Sequence, residues 1–202
     1  PMQGHRARFQ ADKYFGATDV FTALVDYRKY FWMKPVGLAL RAYSYGMYGD
    51  GSETELLRPL YLGYPWLIRG YENVSYGQES TLGTGTLDIS RLNGSRIAVA
   101  NAELRFPFSG PEQLALIKSK YFLTDLNLFV DAGLAWYRGD EIILGKRETP
   151  AAPTQKYPLV STGVSVRINL LGYLVLEPYY AFPLQNGGFR NGVFGLNFLP
   201  GW

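Results

Sequence analysis

The sequence predicts an all-β protein, an antiparallel transmembrane β-barrel with about eight strands, and three observations carry that prediction. Apolar and polar residues alternate with a period of two, over runs longer than the roughly five or six residues usual for strands. Aromatic residues gather near the ends of those runs, where girdles at two membrane interfaces would sit. The connections alternate as well, short then long, as they do when strands cross a bilayer and turn tightly on one side only.

The first two candidate strands, 6–14 and 20–32, alternate weakly, and the turn Met33-Lys34-Pro35 leads into a clearer third at 36–48. There Val36, Leu38, Leu40 and Ala42 oppose Arg41, Tyr43 and Tyr45. A long polar segment at about 49–94 follows, and then a strand at 96–108 that places Asn101, Glu103 and Arg105 on one face. Residues 111–118 are long enough for one helical turn or serve only as a linker. In the strand at 122–136, one parity reads Phe122, Thr124, Leu126, Leu128, Val130, Ala132, Leu134 and Trp136; the other carries Asp125, Asn127, Phe129, Asp131 and Gly133. A second long loop spans about 139–157. The split at 160–170 is the cleanest, with Val160, Val164, Val166 and Ile168 against Ser161, Ser165, Arg167 and Asn169. The turn Leu171-Gly172 then joins candidate strands at 173–183 and 190–198. Tyr30, Phe31, Trp32, Tyr121, Phe122, Trp136, Tyr137, Tyr173, Tyr179 and Tyr180 are the girdle candidates. The competing architecture, a soluble sandwich or lipocalin-like barrel, alternates too but turns its polar face outward.

Composition excludes several kinds of protein. With 47% hydrophobic, 16% aromatic and only 18% charged residues, the 202-residue chain is not disordered. Twenty basic against 17 acidic residues leave a net charge of +3, too small and too evenly spread for a nucleic-acid footprint. There is no cysteine and one histidine, His5, so disulfides, thiolate or multi-histidine metal sites and a His-centred triad are not expected. No cofactor, metal or catalytic residue is predicted. No stretch reaches the roughly 18 apolar residues of a spanning helix, which leaves strands as the means of crossing.

The long loop contains Tyr64-Pro65-Trp66-Leu67-Ile68-Arg69-Gly70-Tyr71. This segment resembles the loop-tip signature of the BamA-type outer-membrane assembly superfamily, the bacterial surface antigen family. Further blocks follow in the family's order: Asn101-Ala102-Glu103-Leu104-Arg105-Phe106-Pro107, Leu128-Phe129-Val130-Asp131-Ala132-Gly133, Gly163-Val164-Ser165-Val166-Arg167 and Ala181-Phe182-Pro183-Leu184. The resemblance runs from about Tyr61 to Phe198. It implies a loop tip, Ile68, Arg69, Gly70 and Tyr71, folded into the lumen, with Arg69 reaching Glu103 and Asp131 on the inner wall. The parities of both acids agree, since each lies on the polar face of its strand. A guanidinium fork suits two confined carboxylates better than an ammonium does.

A barrel of about eight strands is filled by its own side chains and has no room for such a loop. The family's barrels are sixteen-stranded, with this loop preceding the last five strands, so the chain resembles the last eight: a single barrel domain or a half-barrel over 1–202. A fragment, a reduced member and half of a dimeric barrel are the alternatives. The resemblance implies an outer-membrane location in a Gram-negative or related envelope, both long loops extracellular and both termini periplasmic. The end departs from the family's pattern, because Leu199-Pro200-Gly201-Trp202 follow the aromatic Phe198.

The function implied is insertion and assembly of outer-membrane proteins, or polypeptide translocation. Its partners are outer-membrane lipid, client outer-membrane proteins, periplasmic assembly partners and, in a dimeric barrel, a second copy. A weak seam is suggested by Gly192 and Gly195, which are equally readable as a bend. The alternative is an anchoring barrel for a secreted or periplasmic domain, separable only by what lies upstream. Catalysis is disfavoured: Asp125, Asp131, Glu103 and Glu177 share the polar face with Arg41, Arg105 and Arg167, a pattern that a structural ion-pair lattice explains.

Overall fold

A computed structural model describes residues 3–16, 18–72, 89–110, 117–118, 122–144, 154–170, 174–185 and 188–200. Eight long strands dominate: β1 (Gly4–Tyr14), β2 (Val20–Met33), β3 (Val36–Tyr48), β4 (Arg96–Gly110), β5 (Phe122–Trp136), β6 (Leu159–Leu170), β7 (Leu174–Pro183) and β8 (Val193–Pro200). They form one antiparallel sheet in chain order, β1 through β8. Chain-order pairing is the up-and-down arrangement of a membrane barrel. Among the described residues β1 and β8 are the sheet's two edges and do not pair with each other.

The two faces of this sheet are inverted relative to a soluble protein. Leu128 is 50% exposed, Val130 49% and Phe194 69%, while their polar-parity neighbours Asn127, Asp131, Ser165 and Glu177 are buried. A soluble sandwich would bury the first set and expose the second. In a bilayer the apolar face needs no protein cover, because hydrocarbon is its solvent. The lipid-facing belt continues through Val25, Phe31, Leu40, Phe106, Leu126, Leu196 and Phe198. One part of the girdle expectation is corrected here. Tyr30 and Tyr179 are buried on the inner face rather than standing at the interface, because each shares a parity with inward polar groups of its own strand, Arg28 and Glu177.

The loop between β3 and β4 builds the interior. Its short strand Leu60–Tyr61 pairs with Asn93–Gly94, next to a 3-10 turn at Ile89–Leu92. Leu62, Leu67, Ile68, Tyr71 and Leu92 form a buried cluster against Tyr43, Ile97, Val99, Ala135 and Leu159 of the inner wall. Gly133 makes that contact possible, since a Cβ there would stand 2.9 Å from Leu62 Cδ1. The second long connection, between β5 and β6, holds a parallel pair, Glu141–Ile142 with Gln155–Lys156.

The tight β2–β3 turn is Lys34-Pro35. The turn at Leu171-Gly172, the girdle candidates Tyr121 and Tyr173, and the terminal Trp202 lie outside the described residues. So does the 111–118 connection except for Ile117–Lys118, which pair in parallel with Ser109–Gly110 and are extended. Gly192 precedes β8, and Gly195 sits directly opposite Tyr179, whose ring covers it. A glycine shielded in this way keeps its rung.

Candidate functional site: the loop tip on the inner wall

Three strand registers set the stage. Asp131 of β5 stands directly opposite Asn101 of β4 and Ser161 of β6, and Glu103 lies two residues along β4 on the same face. Glu177 enters from β7. Into this wall the loop delivers Arg69, which is only 4% exposed. Its Nε and Nη2 donate to Oδ2 and Oδ1 of Asp131, both at 2.8 Å, and its backbone N–H donates to Oδ2 at 3.2 Å. Nη2 is 3.1 Å from Glu103 Oε1, and Nη1 donates to Glu177 Oε1 at 2.9 Å. The guanidinium carbon lies 3.6 Å from the centroid of the Phe129 ring. Arg69 is thus forked on one carboxylate, shared by two others and laid against an aromatic face, the combination for which arginine is suited and lysine is not.

The acids are themselves held. Asn101 Nδ2 donates to Asp131 Oδ1 at 2.8 Å and to the loop carbonyl of Leu67 at 2.9 Å, so one side chain ties wall and loop together. Ser165 Oγ donates to Glu177 Oε1 at 2.8 Å. Arg105 Nη2 donates to Glu103 Oε2 at 2.6 Å, and Arg167 Nη2 lies 3.4 Å from Glu103 and 3.2 Å from Glu177. Three guanidinium groups meet three carboxylates, so each charge of this buried cluster has an opposite partner. Asp125 stands opposite Arg167 in the register. Arg41 belongs to a separate pair, with both oxygens of Asp26 on β2, and donates through Nη1 to the Trp66 carbonyl at 2.8 Å.

The rest of the tip is equally specific. Gly70 has φ +90°, and a Cβ there would meet Ala181 at 2.9 Å, so both its conformation and its closeness to β7 call for glycine. The Tyr71 hydroxyl lies 2.9 Å from the Val160 carbonyl and 2.6 Å from Gln185 Oε1. Ile68 is fully buried in the loop's apolar cluster. Burial pushes the Tyr71 phenol well above its ordinary pKa, against the opposing hydrogen bonds of Gln185 and Val160. Burial works against the charge of Arg69, yet Asp131 first, then Glu103 and Glu177, raise its pKa above the ordinary value, so it stays cationic.

The four tip residues and both wall acids therefore come together, and the structure adds partners that the sequence reading did not assign. From the sequence, Glu177 reads as a lumen-facing acid with no stated partner, and nothing in the strand pattern marks Phe129 as a contact of Arg69. Glu72 accepts from the Gly70 N–H at 2.8 Å and from the Tyr179 hydroxyl. The lumen parity of Glu177 and Tyr179 was the available signal. It identifies a face but not the level on that face at which a loop tip arrives.

A sheet with its apolar face outward and a polar wall clasping a folded-in loop is the arrangement of a transmembrane β-barrel wall with a lumen loop. The Omp85 superfamily domain matches residues 1–201, and the chain belongs to that superfamily, in line with the BamA-type resemblance of its sequence blocks. No individually curated protein matches the chain significantly.

Proposed function

We propose that this outer-membrane barrel acts in the insertion and assembly of outer-membrane proteins or in passing a polypeptide across the outer membrane. The observation that carries the reading is the clasp of Arg69 on Asp131, Glu103 and Glu177 in a member of the Omp85 superfamily. In this reading the clasp has no chemistry: it fixes the long loop inside the lumen, so that the strands and not a reaction centre do the work. Each of the three acids is engaged by arginine, which supports a structural lattice over an acid/base pair.

The lumen holds the folded part of the loop as well as its own wall side chains, more than a closed eight-stranded barrel accommodates. Further strands therefore complete the barrel beyond these eight, with the two long loops outside the cell and the Lys34-Pro35 turn in the periplasm. Unfolded barrel clients and periplasmic assembly factors are the partners that fit.

The test is client folding in proteoliposomes. The complete protein should speed the appearance of heat-modifiable, protease-resistant client barrels over empty vesicles, and Arg69→Ala should reduce that gain. Vesicles that fold clients no faster with the protein than without it, and that pass no polypeptide across the bilayer either, would overturn the reading in favour of an anchoring barrel.

A further inference from the structure

The outer surface of β4 to β8 is not an even belt. A trough of about 520 Å³ runs along it. Its floor is made of the short side chains Val164, Val166 and Pro178, and its walls are the taller Leu126 on one side and Tyr180 and Phe194 on the other. The registers explain the shape. Leu126 is opposite Val166, Val164 is opposite Tyr180, and Tyr180 is opposite Phe194, so two short residues on β6 fall between long residues on β5 and β7.

A second observation coincides with the trough. The β6–β7 ladder pairs Ser165 with Tyr179 and resumes at Ile168 with Leu176, skipping the two rungs between. Pro178 stands in that gap, without an N–H to offer and with a flat ring in place of a projecting chain. Within sheets proline is confined to edges, first residues and irregular places such as bulges, where the ladder is interrupted, as it is here. Here it deepens a lipid-facing depression.

We propose that this trough is a lipid-binding site that takes one acyl chain of a membrane lipid, held more tightly than the lipid around the rest of the barrel. The side chains of Leu126, Val164, Phe194 and, apart from its hydroxyl, Tyr180 are apolar and exposed on the outer face, so the bilayer is what covers the trough they line, and an acyl chain is the flexible apolar group that a bilayer supplies. Contacts from floor and both walls give a seated chain more dispersion partners than the flatter belt provides. The inference rests on these strands crossing the bilayer.

The experiment reconstitutes the full protein in phosphatidylethanolamine–phosphatidylglycerol vesicles containing phosphatidylethanolamine with a photoreactive diazirine on one acyl chain, and maps the labelled residues by mass spectrometry. Labelling at Val164, Val166 and Phe194 should exceed that at Val25 and Leu40 several-fold. Val166→Phe, which fills the trough, should abolish the excess; Val164→Phe should do the same from the other end, and Leu40→Phe should leave it intact. Heat-modifiable migration of each variant shows that it folds. Labelling spread evenly over the belt, or an excess that survives both fillings, overturns the site while leaving the barrel reading in place; no labelling of the belt at all overturns both. A photoreactive side chain at Val166 that captures protein instead of lipid also refutes the proposal.

Discussion

Arg69 has three acidic partners of unequal weight, and substitutions should reveal the order. Asp131 takes two guanidinium bonds and a backbone bond, whereas Glu103 and Glu177 take one contact each and have Arg167, and for Glu103 also Arg105, to fall back on. Removing one member of a buried pair typically costs about 3–5 kcal/mol, mostly by stranding the other charge. Arg69→Ala and Asp131→Asn should therefore lower barrel stability by amounts of that order, and Glu103→Gln by less, as read from denaturant titrations of the folded gel band. Arg69→Lys should recover only part of the loss, because one ammonium cannot fork on Asp131 while reaching Glu177. If the two residues share one interaction, the double variant Arg69→Ala/Asp131→Asn should fall short of the sum of the single losses by about 0.5–3 kcal/mol. Strict additivity would mean that the clasp is not a unit.

The strands of this chain are specified by what lies on each side of them, and two substitutions test the two sides. On the inner face, Gly133→Ala drives a methyl into fully buried Leu62 and should cost about 1–3 kcal/mol as an overpacked core. Leu62→Ala, in the loop, should recover part of that loss in the double variant, which only a loop packed on the wall explains. On the outer face, Leu128→Arg should destabilise the barrel by about 2–4 kcal/mol if the residue lies near the bilayer midplane, whereas a soluble protein would tolerate a charge at a half-exposed position. Refolding yields into vesicles and denaturation midpoints of the three single variants and the double variant decide the point.

For the molecule as a whole, the sheet edges β1 and β8, which have no partner strand on their outer sides among the described residues, are the feature with most consequence. In hydrocarbon an open row of backbone groups is too costly to persist, so both edges must meet a strand. If further strands complete the barrel, cysteine pairs engineered across β1 and β8 within one chain, such as Gln10 with Asn197, should not form an intramolecular disulfide at any register. An efficient cross-link would establish a closed eight-stranded barrel. The absence of native cysteine also makes orientation accessible. A thiol at Leu56, 74% exposed in the long loop, should label from outside intact cells, and one at Lys34 in the tight turn should not. The reverse pattern would invert the topology.

What the sequence determined by itself was the architecture. Lipid on one side and a polar lumen on the other impose a period of two, and a period needs no knowledge of distant residues. The strands from Val36 to Leu170 could therefore be read almost to their ends, and the faces of Glu103, Asp131, Arg105 and Arg167 with them. The tip Ile68-Arg69-Gly70-Tyr71 was legible through its resemblance and not through its local pattern. Tertiary structure decided the rest. It placed Tyr30 and Tyr179 on the inner wall, although an aromatic near a strand end reads as a girdle. It also brought Glu177, 108 positions away in sequence, onto Arg69, and set Glu72 between Gly70 and Tyr179. Parity states which side of a strand a residue faces, whereas these contacts depend on how far along each strand the register slides and how deep the loop descends. Those quantities are fixed only when the strands pair and the loop packs against them.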